Sequence, residues 1–220
     1  MTAKHVIAID GPSGVGKGTV ALAVAEFLGS TYIDTGAMYR TLAWKAISEG
    51  LSVDNESQME RLATQSNFVF DGGRILIDGH DATEKIRTPE IDNAAAKIAQ
   101  LPQVRAVLVD RQRAFAEDGS VVMEGRDIGT VVLPDAAVKI FLDATPNERA
   151  LRRLRDKGRG STETALVDVA RALEERDHVD RTRSVSPLTK AADAILVDTT
   201  NISIGGVVER VLSIVKEKCS

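Results

Sequence analysis

Cysteine is almost missing: Cys219 is the only one in 220 residues. Without a second thiol there is no internal disulfide framework, and a reducing compartment suits the chain. Histidine is scarce too. His5, His80 and His178 lie far apart and read as exposed or structural residues. They form no Ser/His/Asp arrangement and, with the lone cysteine, no metal cluster. Positive charge is not in excess: 28 Lys and Arg stand against 32 Asp and Glu, a net charge of −4. With a pI of about 5.5, a nucleic-acid polymer is not an expected partner. No apolar run approaches the roughly 18 residues that a membrane helix needs. The first strand-like run opens at Val6, which leaves no room for a secretory leader. A cytoplasmic protein is expected. No internal repeat or low-complexity stretch is evident.

What is present begins with a loop. Asp10-Gly11-Pro12-Ser13-Gly14-Val15-Gly16-Lys17-Gly18-Thr19 follows the apolar run Val6-Ile7-Ala8-Ile9 and precedes a helix-like stretch from Val20 to Leu28. Glycines let the backbone curl until its N–H groups face an anion, and the helix N-terminus adds partial positive charge. Gly11, Gly16 and Lys17 meet the Gly-x4-Gly-Lys spacing, which places the lysine on the β- and γ-phosphates of a nucleoside triphosphate. Gly18 stands where Ser or Thr usually follows the lysine, and the hydroxyl is delayed to Thr19.

At 43% hydrophobic and 27% charged residues, the chain is ordinary for one soluble domain with a proper core. Strand and helix patterns alternate, predicting an α/β fold with a central parallel sheet covered by helices. Strands are expected at Thr31–Ile33, Ser120–Met123, Val138–Leu142 and Ala194–Val197. Helices are expected from about Ala37 and from Val207 to about Lys216. Two stretches break the alternation. Asn67 to Gly79 alternates around a Gly-containing turn and predicts a β-hairpin, hence an inserted lobe over about 55–100. Arg152 to Ser161 is basic and Gly-rich, which suits a mobile cationic flap.

A phosphate loop alone does not separate a switch from a kinase. Guanine readers carry Asn/Thr-Lys-x-Asp, whereas Thr189-Lys190-Ala191-Ala192 meets Asp193 one residue late, and no Asp-x-x-Gly occurs. A regulatory switch is therefore disfavoured. Arginines cluster in the second half. Arg126 follows a core strand in Glu124-Gly125-Arg126-Asp127, where ligands of open α/β sheets collect. Arg176, Arg181 and Arg183 follow, and Arg40 closes the earlier Asp34-Thr35-Gly36-Ala37-Met38-Tyr39-Arg40. Forked guanidiniums suit phosphoryl transfer between two phosphorylated molecules. An acceptor phosphate is already ionised and needs no general base, so positioning and charge neutralisation carry the catalysis.

Over essentially its whole length the chain resembles the bacterial cytidylate kinases, which are P-loop nucleoside monophosphate kinases. The resemblance rests on Ile9–Thr19, Asp34–Arg40, Gly125–Val132 with Pro134-Asp135-Ala136, Lys139–Ala144, Glu175-Arg176-Asp177, and Asp180, Arg183 and Ser186-Pro187-Leu188. It implies a P-loop three-layer fold as a single domain. Its core would span about 1–54, 101–150 and 165–220, with a monophosphate-binding insert at 55–100 and a short lid at about 151–164. It implies transfer of the γ-phosphoryl of ATP to CMP or dCMP with Mg²⁺, by a monomer with no metal site of its own. Lys17, Arg126 and Arg176 would act in catalysis. ATP would be held by Gly11, Pro12, Ser13, Gly14, Val15, Gly16, Lys17, Gly18 and Thr19, with Arg153. Thr35, Arg40, Arg126 and Arg176 would hold the CMP phosphate and Asp180 the sugar. Arg105, Asp127 and Arg183 would surround the cytosine, whose O2 and N3 accept and whose amino group donates. One position departs from the family: Ala96 stands where a base-contacting serine is common. The lost hydrogen bond is worth about 0.5–1.5 kcal/mol, with Lys97 or a water as candidate substitutes. The alternative is another small P-loop kinase, acting on UMP, AMP, shikimate or dephospho-coenzyme A. A hydroxyl acceptor would need an aspartate base such as Asp34 or Asp127.

Overall fold

The structure is a computed structural model that describes residues 5–156 and 163–219. In chain order its elements are β1 (Val6–Asp10), α1 (Lys17–Leu28), β2 (Thr31–Asp34), α2 (Thr35–Ser48) and α3 (Glu56–Gln65). Then come β3 (Phe68–Asp71), β4 (Arg74–Ile77), β5 (His80–Asp81), α4 (Pro89–Ile98) and α5 (Pro102–Glu117). β6 (Val121–Gly125) leads through one π-helical turn (Ile128–Val132) to β7 (Val138–Asp143), α6 (Pro146–Asp156), α7 (Glu163–Thr182), β8 (Ile195–Asp198) and α8 (Ile204–Cys219).

The apolar runs become one five-stranded sheet in the order β2-β6-β1-β7-β8, with every neighbouring pair parallel. Strands buried on both faces read as continuous apolar runs, and β6 is buried throughout. Alternate residues of β1 serve the two faces. Ile7 and Ile9 pack with Val20 and Val24 of α1 and Val211 and Ile214 of α8. Ala8 packs on the other face with Ile33, Met123 and Val109 of α5. Helices on both faces make the three layers that the sequence predicts. Helix and strand ends differ from expectation by a few residues: α2 opens at Thr35 rather than Ala37, and β6 runs on to Gly125.

The hairpin forms with Phe68 opposite Ile77 and Asp71 opposite Arg74. Gly72 and Gly73 supply the positive φ values, +54° and +81°, of the tight turn. A third short strand, β5, pairs with β4, and no sequence pattern announced it. Helices α3 and α4 flank this small sheet. Each is capped by a side chain, Asn55 accepting from the Gln58 N–H and Thr88 from the Ile91 N–H. Met59, Leu62, Phe68, Ile75, Ile77, Ile91 and Ile98 share a core with Met38 and Leu42 of α2, so the inserted segment is anchored on α2.

The basic flap is corrected in part. Arg152 to Asp156 continue α6 as helix, and Arg152 is fixed by Glu148 one turn earlier, at 2.9 Å. Residues 157–162 of the expected lid lie outside the described residues. Among the described residues, no helix is long and apolar enough to cross a membrane.

Candidate active site

The loops that leave β1, β2 and β6 meet at the carboxyl edge of the sheet, where open parallel sheets bind ligands. The β1 loop is shaped by close approach. A Cβ at Gly11 would lie 2.1 Å from the Leu142 carbonyl oxygen, and Gly14 and Gly16 adopt φ of +82° and +90°. Lys17 opens α1 and is buried; its Nζ donates to the Pro12 carbonyl at 2.8 Å. Burial, then the charge of Arg126, push its ammonium down to about 7. The Ser13 and Val15 carbonyls accept from Arg149 and Arg152, each at 3.1 Å. Carbonyls tied back to cations cannot line an anion site, and that separation is what a phosphate loop needs. Asp10, at the end of β1, accepts from the Ile128 and Gly129 N–H groups, both at 2.8 Å. Burial raises its carboxyl to about 6, although the two amides partly offset it.

Across the cleft, Asp34 caps α2 by accepting from the Ala37 N–H at 2.8 Å and pairs with Arg40 at 2.8 Å. The Thr35 hydroxyl donates to the Glu124 carbonyl at 2.8 Å. Gly125 permits this approach, since a Cβ there would lie 2.7 Å from Thr35 Oγ1 and 2.6 Å from Ile128 Cδ1. Arg126 donates from Nε to Asp180 at 2.8 Å. Arg176 of α7 has no ion-pair partner among the described residues. Burial and then the like charge of Arg126 lower its pKa. Such a guanidinium is poised for an anion.

At the deep end Asp127 sits between two arginines. It pairs with Arg105 and lies 3.5 Å from Arg183. Arg183 donates to the Ser186 carbonyl at 2.6 Å and approaches Asp180 at 3.8 Å. Arg105, Asp127, Arg183, Asp180 and Arg126 thus form one chain of alternating charge along the cleft. The Arg105 guanidinium also lies 5.7 Å from the Tyr39 ring centroid. Fixed donors and acceptors beside an aromatic ring suit recognition of a flat polar ring.

A family model described as cytidylate kinase matches residues 7–217. The chain belongs to the cytidylate kinase family. It is 48% identical over 215 residues to a cytidylate kinase of Desulfitobacterium hafniense, covering 96% of this chain and 93% of that one. To a cytidylate kinase of Caldanaerobacter subterraneus subsp. tengcongensis it is 46% identical over 211 residues, covering 96% and 94%. The solved structure of an uncharacterized protein from Eubacterium ventriosum superposes with a TM-score of 0.56 over 98% of this chain and 99% of that one. At 11% identity it shares the fold alone.

In this cytidylate kinase family member the cleft gathers most of the residues expected from sequence. Ser13, Gly14, Gly16, Lys17, Gly18 and Thr19 line one side. Thr35, Arg40, Arg105, Arg126, Asp127, Arg153, Arg176, Asp180 and Arg183 line the rest. Gly11, Pro12 and Val15 do not line it and are buried behind the loop. Arg153 pairs with Asp92 at 3.1 Å. Ala96 lines the cleft, whereas Lys97 does not and pairs with Asp54 at 3.0 Å. Arg181 is exposed on α7. Sequence reasoning missed Glu124, Tyr39, Arg149, Arg152 and Thr199. Burial raises the Glu124 pKa, and its carboxylate accepts from the Tyr32 hydroxyl at 3.1 Å. A charged residue ending the apolar run Val121-Val122-Met123 was the available signal. Arg152 reaches the Thr199 carbonyl at 2.6 Å from 47 residues away, and nothing local marks that pair.

Proposed function

We propose that the chain transfers the γ-phosphoryl group of ATP to CMP or dCMP, giving ADP and the matching diphosphate. One observation carries this reading: a single cleft has the glycine loop and Lys17 on one side and Arg40, Arg126 and Arg176 facing it. In it, ATP lies on the loop of residues 11–19 with Arg153 beside it, and Lys17 neutralises charge on the β- and γ-phosphates. Arg40, Thr35, Arg126 and Arg176 hold the acceptor phosphate, whose second pKa near 6 leaves it largely dianionic at neutral pH. Its oxygen is the nucleophile, and no side chain has to remove a proton. Asp180 takes the sugar hydroxyls and Arg105, Asp127 and Arg183 the base. The insert, about 55–100, is assigned to the acceptor, and the segment 151–164 to closing over ATP. A monomer acting in the cytoplasm completes the proposal.

Mg²⁺ fits as an ion held mainly by nucleotide oxygens and water. No group of three or more His, Cys, Asp or Glu side chains converges among the described residues, and Mg²⁺ seldom takes an all-protein cage. Thr19 and Asp34, both lining the cleft, would hold its water shell. Bound there, the ion would neutralise phosphate charge.

The test is ADP release from MgATP with CMP, dCMP, UMP, AMP, shikimate and dephospho-coenzyme A offered separately. CMP and dCMP should be turned over fastest. Rapid turnover of AMP or UMP with none of CMP would overturn the assignment.

A further inference from the structure

The glycine loop and the acceptor-side arginines belong to different elements, and one buried ion pair joins them. Asp177 on α7 is 1% exposed and Arg149 on α6 is 5% exposed. Their side chains pair with each other. Asp177 Oδ1 also accepts from the Ser13 N–H at 3.0 Å, and Arg149 donates to the Ser13 carbonyl at 3.1 Å. Both backbone polar groups of one loop residue are therefore held by one ion pair. The next residue is packed onto the same helices: a Cβ at Gly14 would lie 3.2 Å from Arg149 Cβ and 3.5 Å from Leu173 Cδ1. Asp177 directly follows Arg176, and Asp180 and Arg183 lie on the same helix and just beyond it.

A buried ion pair is weak evidence for stability, because desolvation offsets its attraction. What it supplies here is geometry. Transfer between two bound phosphates depends on their spacing, and a displacement of about 1 Å can cost on the order of 10²-fold in rate.

We propose that Arg149 and Asp177 are positioning residues that lock the Ser13 peptide to α7 and so set the glycine loop at its working distance from Arg176, Asp180 and Arg183. The proposal rests on the reading that ATP occupies the loop and the acceptor phosphate occupies the arginines. It carries a consequence that differs from the sequence expectation: the Ser13 N–H is committed to Asp177 and does not donate to a phosphate.

Two conservative variants separate positioning from folding. Asp177→Asn keeps an oxygen for the Ser13 N–H but removes the ion pair; Arg149→Lys keeps the charge but removes the fork. The single-turnover transfer rate of each should fall about 10- to 100-fold. Equilibrium affinities for a non-hydrolysable ATP analogue and for CMP, measured separately, should stay within about twofold, since each half-site stays intact. Wild-type rates in both variants overturn the proposal. Affinities that fall in step with the rate also overturn it, because they report a deformed loop.

Hydrogen exchange on the unmodified protein decides the matter if a variant does not fold. The Ser13 amide should be protected before nucleotide is added and unchanged by the ATP analogue, while the Gly16 and Gly18 amides gain protection. A Ser13 amide that gains protection with them faces the nucleotide and overturns the strut. This measurement needs no acceptor, so an error in the CMP assignment would not imitate its failure.

Discussion

Lys17 occupies a place where burial and a neighbouring guanidinium make its charge costly. Buried, and with Arg126 as the strongest like charge on it, its ammonium is pushed down to about 7, so near neutrality the empty site holds a mixture of charged and neutral lysine. On the proposed reading, a triphosphate bound to the loop would restore the charge. ATP binding should therefore take up protons near neutrality, with the uptake growing as pH rises above about 7. Calorimetry in two buffers of different ionisation enthalpy measures this directly. Lys17→Met should abolish the uptake and lower kcat, and uptake that persists in the variant would assign it to another group. The sign for stability follows. Between about 7 and the ordinary lysine value of 10.5, the unfolded chain holds a proton that the empty native site has lost. The Lys17 contribution therefore raises native stability as pH climbs through that window. Asp10 runs the other way. Raised from 3.8 to about 6, it keeps its proton longer when folded, so its contribution falls as pH rises through that range.

Between elements, the contact of α1 with β6 accounts for the residue after the lysine. A Cβ on Gly18 would lie 2.9 Å from Glu124 Oε1 and 3.3 Å from the Tyr32 hydroxyl, and those two groups are bonded to each other. A hydroxyl residue, common at this point of other phosphate loops, would force that carboxylate to shift from the Tyr32 hydroxyl that holds it. Gly18→Ser should destabilise the fold by about 1–3 kcal/mol through overpacking and lower kcat/KM for ATP. Urea denaturation and steady-state kinetics read the two effects, and a variant as stable as the wild type would show that Glu124 swings aside at no cost. The same scale explains why the flap was misread. The basic composition of 152–161 suits a loop, yet Arg152 to Asp156 remain helical because their helix is anchored by partners distant in sequence. Arg149 bonds to Ser13 and Arg152 to Val15 and Thr199.

For the whole molecule, the distribution of charge argues for motion. Arg40, Arg126 and Arg176 come from α2, the β6 loop and α7, yet they line one cleft. Arg176 carries a like-charge penalty from Arg126 that Asp92 and Asp180 offset only in part. Two bound phosphates would turn that repulsion into attraction and tighten α2, the β6 loop and α7 around the cleft. Asp92 of α4 and Arg153 of α6 already touch across the opening, at 3.1 Å. A bisubstrate analogue should therefore reduce the radius of gyration in small-angle scattering and exclude the water that would hydrolyse ATP. A scattering curve that does not change on binding would contradict closure.

The parallel sheet, the hairpin and the glycine loop were legible because each follows a local rule. Apolar runs make buried strands, paired glycines make a tight turn, and Gly-x4-Gly-Lys between strand and helix makes an anion site. Residue type also marked Arg40, Arg126 and Arg176 as candidate phosphate binders, and the fold brings them to one cleft. Their partners were not legible. Asp127 lies 22 residues from Arg105 and 56 from Arg183, and Asp177 lies 164 from Ser13. Only the folded chain brings such groups within bonding distance, because the order of strands in the sheet decides which loop ends meet. The sequence alone determined the glycine loop with its lysine between strand and helix, and supplied the arginines. The tertiary structure decided which carboxylate holds each arginine, and which ion pair ties the loop to the helix opposite.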